Sequence, residues 1–69
     1  MKRYTDAVVA ARTGVALDPA LPEAWNALAQ ACIRLGRRDE ALNAANTAIR
    51  IAPDDEAAND NLSELLSVR

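Results

Sequence analysis

The chain has 69 residues, eight of them basic and ten acidic for a net charge of −2, with no histidine, one cysteine and two glycines. A lone cysteine excludes an intrachain disulfide, two glycines exclude a glycine-rich phosphate loop, and the missing histidine removes the usual neutral-pH general base and the commonest transition-metal ligand. A mildly acidic chain also lacks the long-range attraction that nucleic acids and anionic membranes rely on, and no run approaches the roughly 18 apolar residues of a membrane span.

A first helix is predicted over Thr5–Leu17, carrying Val8, Val9, Ala11, Val15 and Leu17. Asp6 and Arg12 interrupt its Ala/Val stretch, so it does not read as the apolar core of a signal peptide. The run "VALDP" closes on Pro19, and a second helix is predicted over Pro22–Leu35. Pro22 suits a first helical turn, where its missing N–H would have gone unpaired. Trp25, Leu28, Cys32 and Leu35 recur at helical spacing on one face. Cys32 on that stripe reads as a small buried hydrophobe rather than a nucleophile, because no histidine or cluster of cations is placed to lower its pKa.

The stretch "LGRRDEA", residues 35–41, ends this helix and starts the next. Gly36 supplies a left-handed closing residue, Arg37 and Arg38 fall on the exposed turn, and Asp39 and Glu40 answer their charge from the first turn of a third helix over Asp39–Ile51. Ala41, Leu42, Ala45, Ala48 and Ile49 form its apolar stripe. After "IRIAP" closes on Pro53, Asp54 or Asp55 can cap a fourth helix over Glu56–Val68. The acidic run at 54–56 lacks the spacing of a calcium loop. Linkers of a few residues require neighbouring helices to pack antiparallel.

Pro19 and Pro53 stand 34 residues apart, and at that offset Ala7 aligns with Ala41, Ala10 and Ala11 with Ala44 and Ala45, Thr13 with Thr47, Ala24 with Ala58 and Leu28 with Leu62. Val8 with Leu42, Val15 with Ile49 and Leu17 with Ile51 keep size and polarity. The chain therefore reads as a 34-residue repeat. Residues 22–55, "PEAWNALAQACIRLGRRDEALNAANTAIRIAPDD", resemble one full tetratricopeptide repeat, with Trp25, Leu28, Ala41, Ala48 and Pro53 at its fixed positions and Ala29 keeping the small side chain where the signature has glycine. Cys32 and Ala45 depart from its aromatic positions, and Asn59 stands where the next aromatic would fall. Residues 1–21 resemble the second helix of a preceding repeat, and residues 56–69 a first helix of the polar, capping kind that ends many arrays.

The resemblance implies an all-α fold, a right-handed α-solenoid of antiparallel helical hairpins with about four helices. It implies a non-catalytic scaffold that binds a protein or peptide along a groove lined by the first helix of each repeat, with no cofactor and no metal. On this chain the groove positions are Glu23, Asn26, Ala27, Gln30, Ile33 and Arg34, then Ala57, Asp60, Asn61 and Glu64. Their amides and acids suit a neutral or basic peptide. The lysine, arginine and asparagine clamp of chaperone-binding members is not matched, since Glu23, Asn26, Gln30 and Asp60 occupy its positions and Asn61 alone agrees; of an asparagine ladder, too, Asn61 alone is in place. The half repeat at the N-terminus leaves apolar surface over, with Val8, Val9, Ala11 and Val15 as the expected self-association face. Two explanations stand: a homodimer that covers it, or a longer array of which this chain is a piece. The free thiol fits a reducing, cytoplasmic compartment.

Overall fold

The computed structural model describes residues 2–67, which form four α-helices, α1 (Lys2–Leu17), α2 (Pro22–Leu35), α3 (Arg38–Ile51) and α4 (Glu56–Ser67), joined by residues 18–21, 36–37 and 52–55. No strand occurs among the described residues, and the expected end of the fourth helix at Val68 lies outside them. Pro22 opens α2 behind an extended Leu21 (φ −96°, ψ 107°). At its other end Gly36 turns left-handed (φ 76°), its N–H donating to the Ile33 carbonyl at 3.1 Å while the Arg37 N–H donates to Cys32 at 2.9 Å. Both bonds satisfy carbonyls that the helix end would otherwise leave open. Asp55, rather than Asp54, caps α4: its Oδ1 accepts from the N–H groups of Ala57 (2.9 Å) and Ala58 (3.4 Å).

Two boundaries differ from the sequence expectation. α1 starts at Lys2 rather than at Thr5, so the stretch "KRYTDA" is helical. Lys2 occupies the position that Gly36 holds one repeat later, and without a glycine no left-handed residue stops the helix. Arg38 likewise belongs to α3 rather than to an exposed turn, and its guanidinium donates to the Leu65 carbonyl of α4 at 2.9 Å.

The 34-residue period is written in hydrogen bonds as well as in letters. The Asp18 N–H donates to Gly14 and the Ala52 N–H to Ala48; the Leu21 N–H donates to Asp18 and the Asp55 N–H to Ala52. Thr13 and Thr47 each bond the carbonyl four residues back, at Val9 and Asn43. The Trp25 indole donates to the Pro19 carbonyl at 2.8 Å, and the Asn59 amide donates to Pro53 at 3.3 Å. Asn59 thus abandons the ring of its counterpart and keeps its donor.

α2 is the centre of the packing, lying against α1, α3 and α4, while α3 also packs on α4. The molecule extends 34 × 32 × 16 Å, the thinnest dimension being that of two helix layers. Its core is built mostly of small side chains: Ala29, Cys32, Ala41, Ala45, Ala48 and Ala58 are fully buried, together with Val8, Leu28 and Leu65. Trp25, Ile33, Leu35, Leu42 and Leu62 are half-buried against that cluster. Alanines at these positions let helix backbones approach closely, at the expense of apolar area buried per residue.

The two glycines should respond oppositely to alanine. At Gly36 the positive φ makes Gly36→Ala destabilising by about 1–2 kcal/mol. A methyl at Gly14, inside α1, would meet the Ala24 Cβ at 3.5 Å, an ordinary contact, so Gly14→Ala should stabilise by about 0.5–1 kcal/mol through helix propensity. Urea melts of the two variants check both; a loss at position 14 would contradict the packing of α1 on α2.

Candidate functional site

α2 and α4 run side by side, and polar side chains link them along their length. Asn26, Gln30 and Arg34 recur every four residues on one stripe of α2. The Asn26 Nδ2 donates to Asp55 Oδ2 at 3.1 Å, the Gln30 Nε2 donates to Asn61 Oδ1 at 2.5 Å, and the Arg34 guanidinium faces the Glu64 carboxylate at 3.4 Å. Asp55 serves two ends at once, because the carboxylate oxygen not engaged by Asn26 caps α4. One side chain therefore starts the helix and fixes its position against its neighbour, a role that the sequence signals only as a cap.

The expected groove residues divide into three kinds. Asn26 and Asn61 are buried, 8% and 2% exposed, and each retains one polar atom without a partner among the described residues, the Asn26 Oδ1 acceptor and the Asn61 Nδ2 donor. Gln30, Arg34 and Glu64 are exposed but tied into the cross-helix row, and Glu23 and Asp60 are exposed. Ile33 is half-buried and turns toward a smaller recess that it shares with Gly36, Arg38 and Leu65. Beside the row lies a groove of about 290 Å³ between α1 and α2, lined by Tyr4, Ala7, Ala27, Gln30, Ala31 and Arg34. Gln30 and Arg34 belong to both features. Tyr4, Ala7 and Ala31 were not among the expected groove residues, since nothing in the sequence shows how α1 lies against α2.

The expected self-association face needs correction. Val8 (2% exposed) and Ala11 are buried within the chain because α1 turns them onto α2, and Val15 is half-buried; Val9 is exposed. Ala7 and Ala10 are open on α1 as well, whereas their counterparts one repeat later, Ala41 and Ala44, are buried. α3 is covered by α2 and α4, whereas α1 has α2 alone as a packed neighbour.

Elsewhere Arg12 pairs with Glu40 across α1 and α3, with Arg37 at 3.9 Å from the same carboxylate. This pairing raises the Arg12 pKa, first through the hydrogen bond that the guanidinium donates to Glu40 and then through the charge of that carboxylate. Cys32 is fully buried, and its thiol is pushed up by desolvation first and by the Glu40 charge second. It is thereby held protonated and unreactive. Among the described residues no three His, Cys, Asp or Glu side chains are grouped to hold a metal ion, and no helix is long and apolar enough to cross a membrane.

A family model described as a tetratricopeptide repeat matches residues 1–65. No curated protein and no solved structure matches the chain.

Two measurements probe this arrangement. Asp55→Ala removes the cap and leaves the buried Asn26 amide unpaired, and should cost about 2 kcal/mol in a urea melt, against less than about 0.5 for Asp54→Ala at an exposed position. The raised Cys32 pKa means that folding is favoured in full below the ordinary thiol value of 9.0 and loses that contribution as pH rises through the higher folded value. Melts at neutral and alkaline pH should therefore show a loss of stability above pH 9 that is smaller in Cys32→Ala.

Proposed function

The chain belongs to the tetratricopeptide repeat family, and from that premise we propose that it is a non-catalytic scaffold whose groove along α2 and α4 takes an extended neutral or basic peptide. In this reading α1 is the second helix of a preceding repeat, residues 22–55 are a full repeat, and α4 is a first-type helix, so that α2 and α4 present equivalent faces to one ligand. The observation that carries the reading is the polar row along α2 and α4, whose Gln30, Arg34 and Glu64 remain exposed beside Glu23 and Asp60. An exposed amide such as Gln30 offers both donors and an acceptor, which match the N–H and C=O that every residue of an extended peptide offers, whatever its sequence. Glu23, Asp60 and Glu64 add negative charge against the single cation of Arg34, which favours lysine or arginine in the ligand. The buried free thiol suits a reducing, cytoplasmic setting.

Titration with a library of short lysine-containing peptides, read by amide chemical shifts, should perturb Asn26, Gln30, Asp60 and Asn61 together. Replacing Asp60 and Glu64 with lysine should weaken the best peptide at least about tenfold at low salt, equivalent to about 1.4 kcal/mol. An unchanged affinity would remove the groove from the binding account.

A further inference from the structure

α4 meets its two neighbours through different kinds of contact. It is tied to α3 by the short connection at residues 52–55 and by the Arg38 guanidinium, which donates to the Leu65 carbonyl at 2.9 Å. Toward α2 the polar links run between side chains: Asn26 to Asp55, Gln30 to Asn61, and Arg34 to Glu64. The last pair is about half exposed on both sides, so solvent screens it. Closing this seam also has a cost. Asn26 and Asn61 are 8% and 2% exposed, and each uses one atom of its carboxamide to bond across the seam. The other atoms, Asn26 Oδ1 and Asn61 Nδ2, are buried with no partner among the described residues. Each forfeits on burial the hydrogen bond that water would supply.

α4 also carries its own start. Asp55 Oδ1 accepts from the Ala57 and Ala58 N–H groups, and the Asn59 amide donates to the Asp55 carbonyl at 2.9 Å. The first turn is therefore kept when the bond from Asn26 to Asp55 Oδ2 is lost. The apolar footing of the helix is small as well: of its described residues Ala58 and Leu65 alone are buried and apolar, against four alanines in α3.

We propose that α4 has two positions, the closed one of this structure and one in which it tilts away from α2 about residues 52–55 while staying on α3. Tilting gives both buried carboxamide atoms to water and gives up three cross-helix links that are partly solvated already. These terms oppose each other, so the open position is a minor state of the free chain, reached on the microsecond-to-millisecond scale of hinge motions. Gln30 and Arg34 also line the groove between α1 and α2, and tilting releases both from α4. A peptide lying across α2 and α4 would hold the seam shut. Only that last consequence rests on the proposed groove, and the motion is tested without a ligand.

Relaxation dispersion of the isotope-labelled chain is the test. Exchange broadening should gather on α4 and on the carboxamides of Asn26, Gln30 and Asn61, with α3 quiet. Asn61→Leu removes the unpaired donor at nearly constant size, while exposed Gln30 turns to water, so the broadening should fall at least about threefold. Glu64→Gln weakens the row and should raise it. Asn61→Met repeats the first comparison should leucine disturb folding, which circular dichroism checks. A seam without broadening would overturn the proposal. So would broadening that runs inward from Ser67 along the α4 backbone alone, which is fraying, or that Asn61→Leu leaves unchanged. A long-lived water cross-peak on the Asn61 carboxamide would overturn it too, since the buried atoms would then have a partner and closing would carry no such cost.

Discussion

The close approach of α2 to its neighbours is the constraint on which the rest of the molecule depends. Ala29 and Cys32 on α2 and Ala41, Ala45 and Ala48 on α3 are all fully buried. Small side chains therefore make up much of the seam between the two helices. A wider seam would tilt α3, and α3 carries α4 through the short connection at residues 52–55. The cross-helix row at Asn26, Gln30 and Arg34 spans bonds of 2.5 to 3.4 Å, so a shift of an ångström would break it. Small residues in the seam thus fix the spacing of polar groups on a different face of the same helix.

Such a core contributes little area for its length, and specific local devices make up part of the difference. The left-handed closure at Gly36, the Asp55 cap and the paired turn bonds at 18–21 and 52–55 each satisfy backbone groups that a short helix would otherwise leave open. Surface ion pairs do less. The Arg34–Glu64 pair is half exposed on both sides, and its attraction is screened by solvent. Its contribution lies mainly in setting the register of α4 on α2.

Most helix boundaries and the repeat were legible in the sequence because the signals were local: Pro22, Gly36, the prolines at 19 and 53, and acids in first turns. The buried face of α1 was not. Its sequence, "AVVAARTGVAL", is apolar or small at most positions around the helix, so periodicity admits more than one stripe. Only the position of α2 decides that Val8 and Ala11 turn inward and that Ala7 and Ala10 stay open. The polar row was half legible. Its members other than Asp55 were identified by family position, but the burial of Asn26 and Asn61 depends on how close α4 lies, which no single helix encodes. Asn59 was misjudged in kind: it looked like the loss of an aromatic anchor, and it retains the bond to the preceding proline that the indole makes one repeat earlier.

The cross-helix row and the groove between α1 and α2 are physically coupled, because Gln30 and Arg34 border both. Turning either side chain into the groove would break its bond to Asn61 or Glu64 on α4, so a ligand held there by both would loosen α4 on α2. By linkage, a change that tightens α4 on α2 would weaken such a ligand by the same factor.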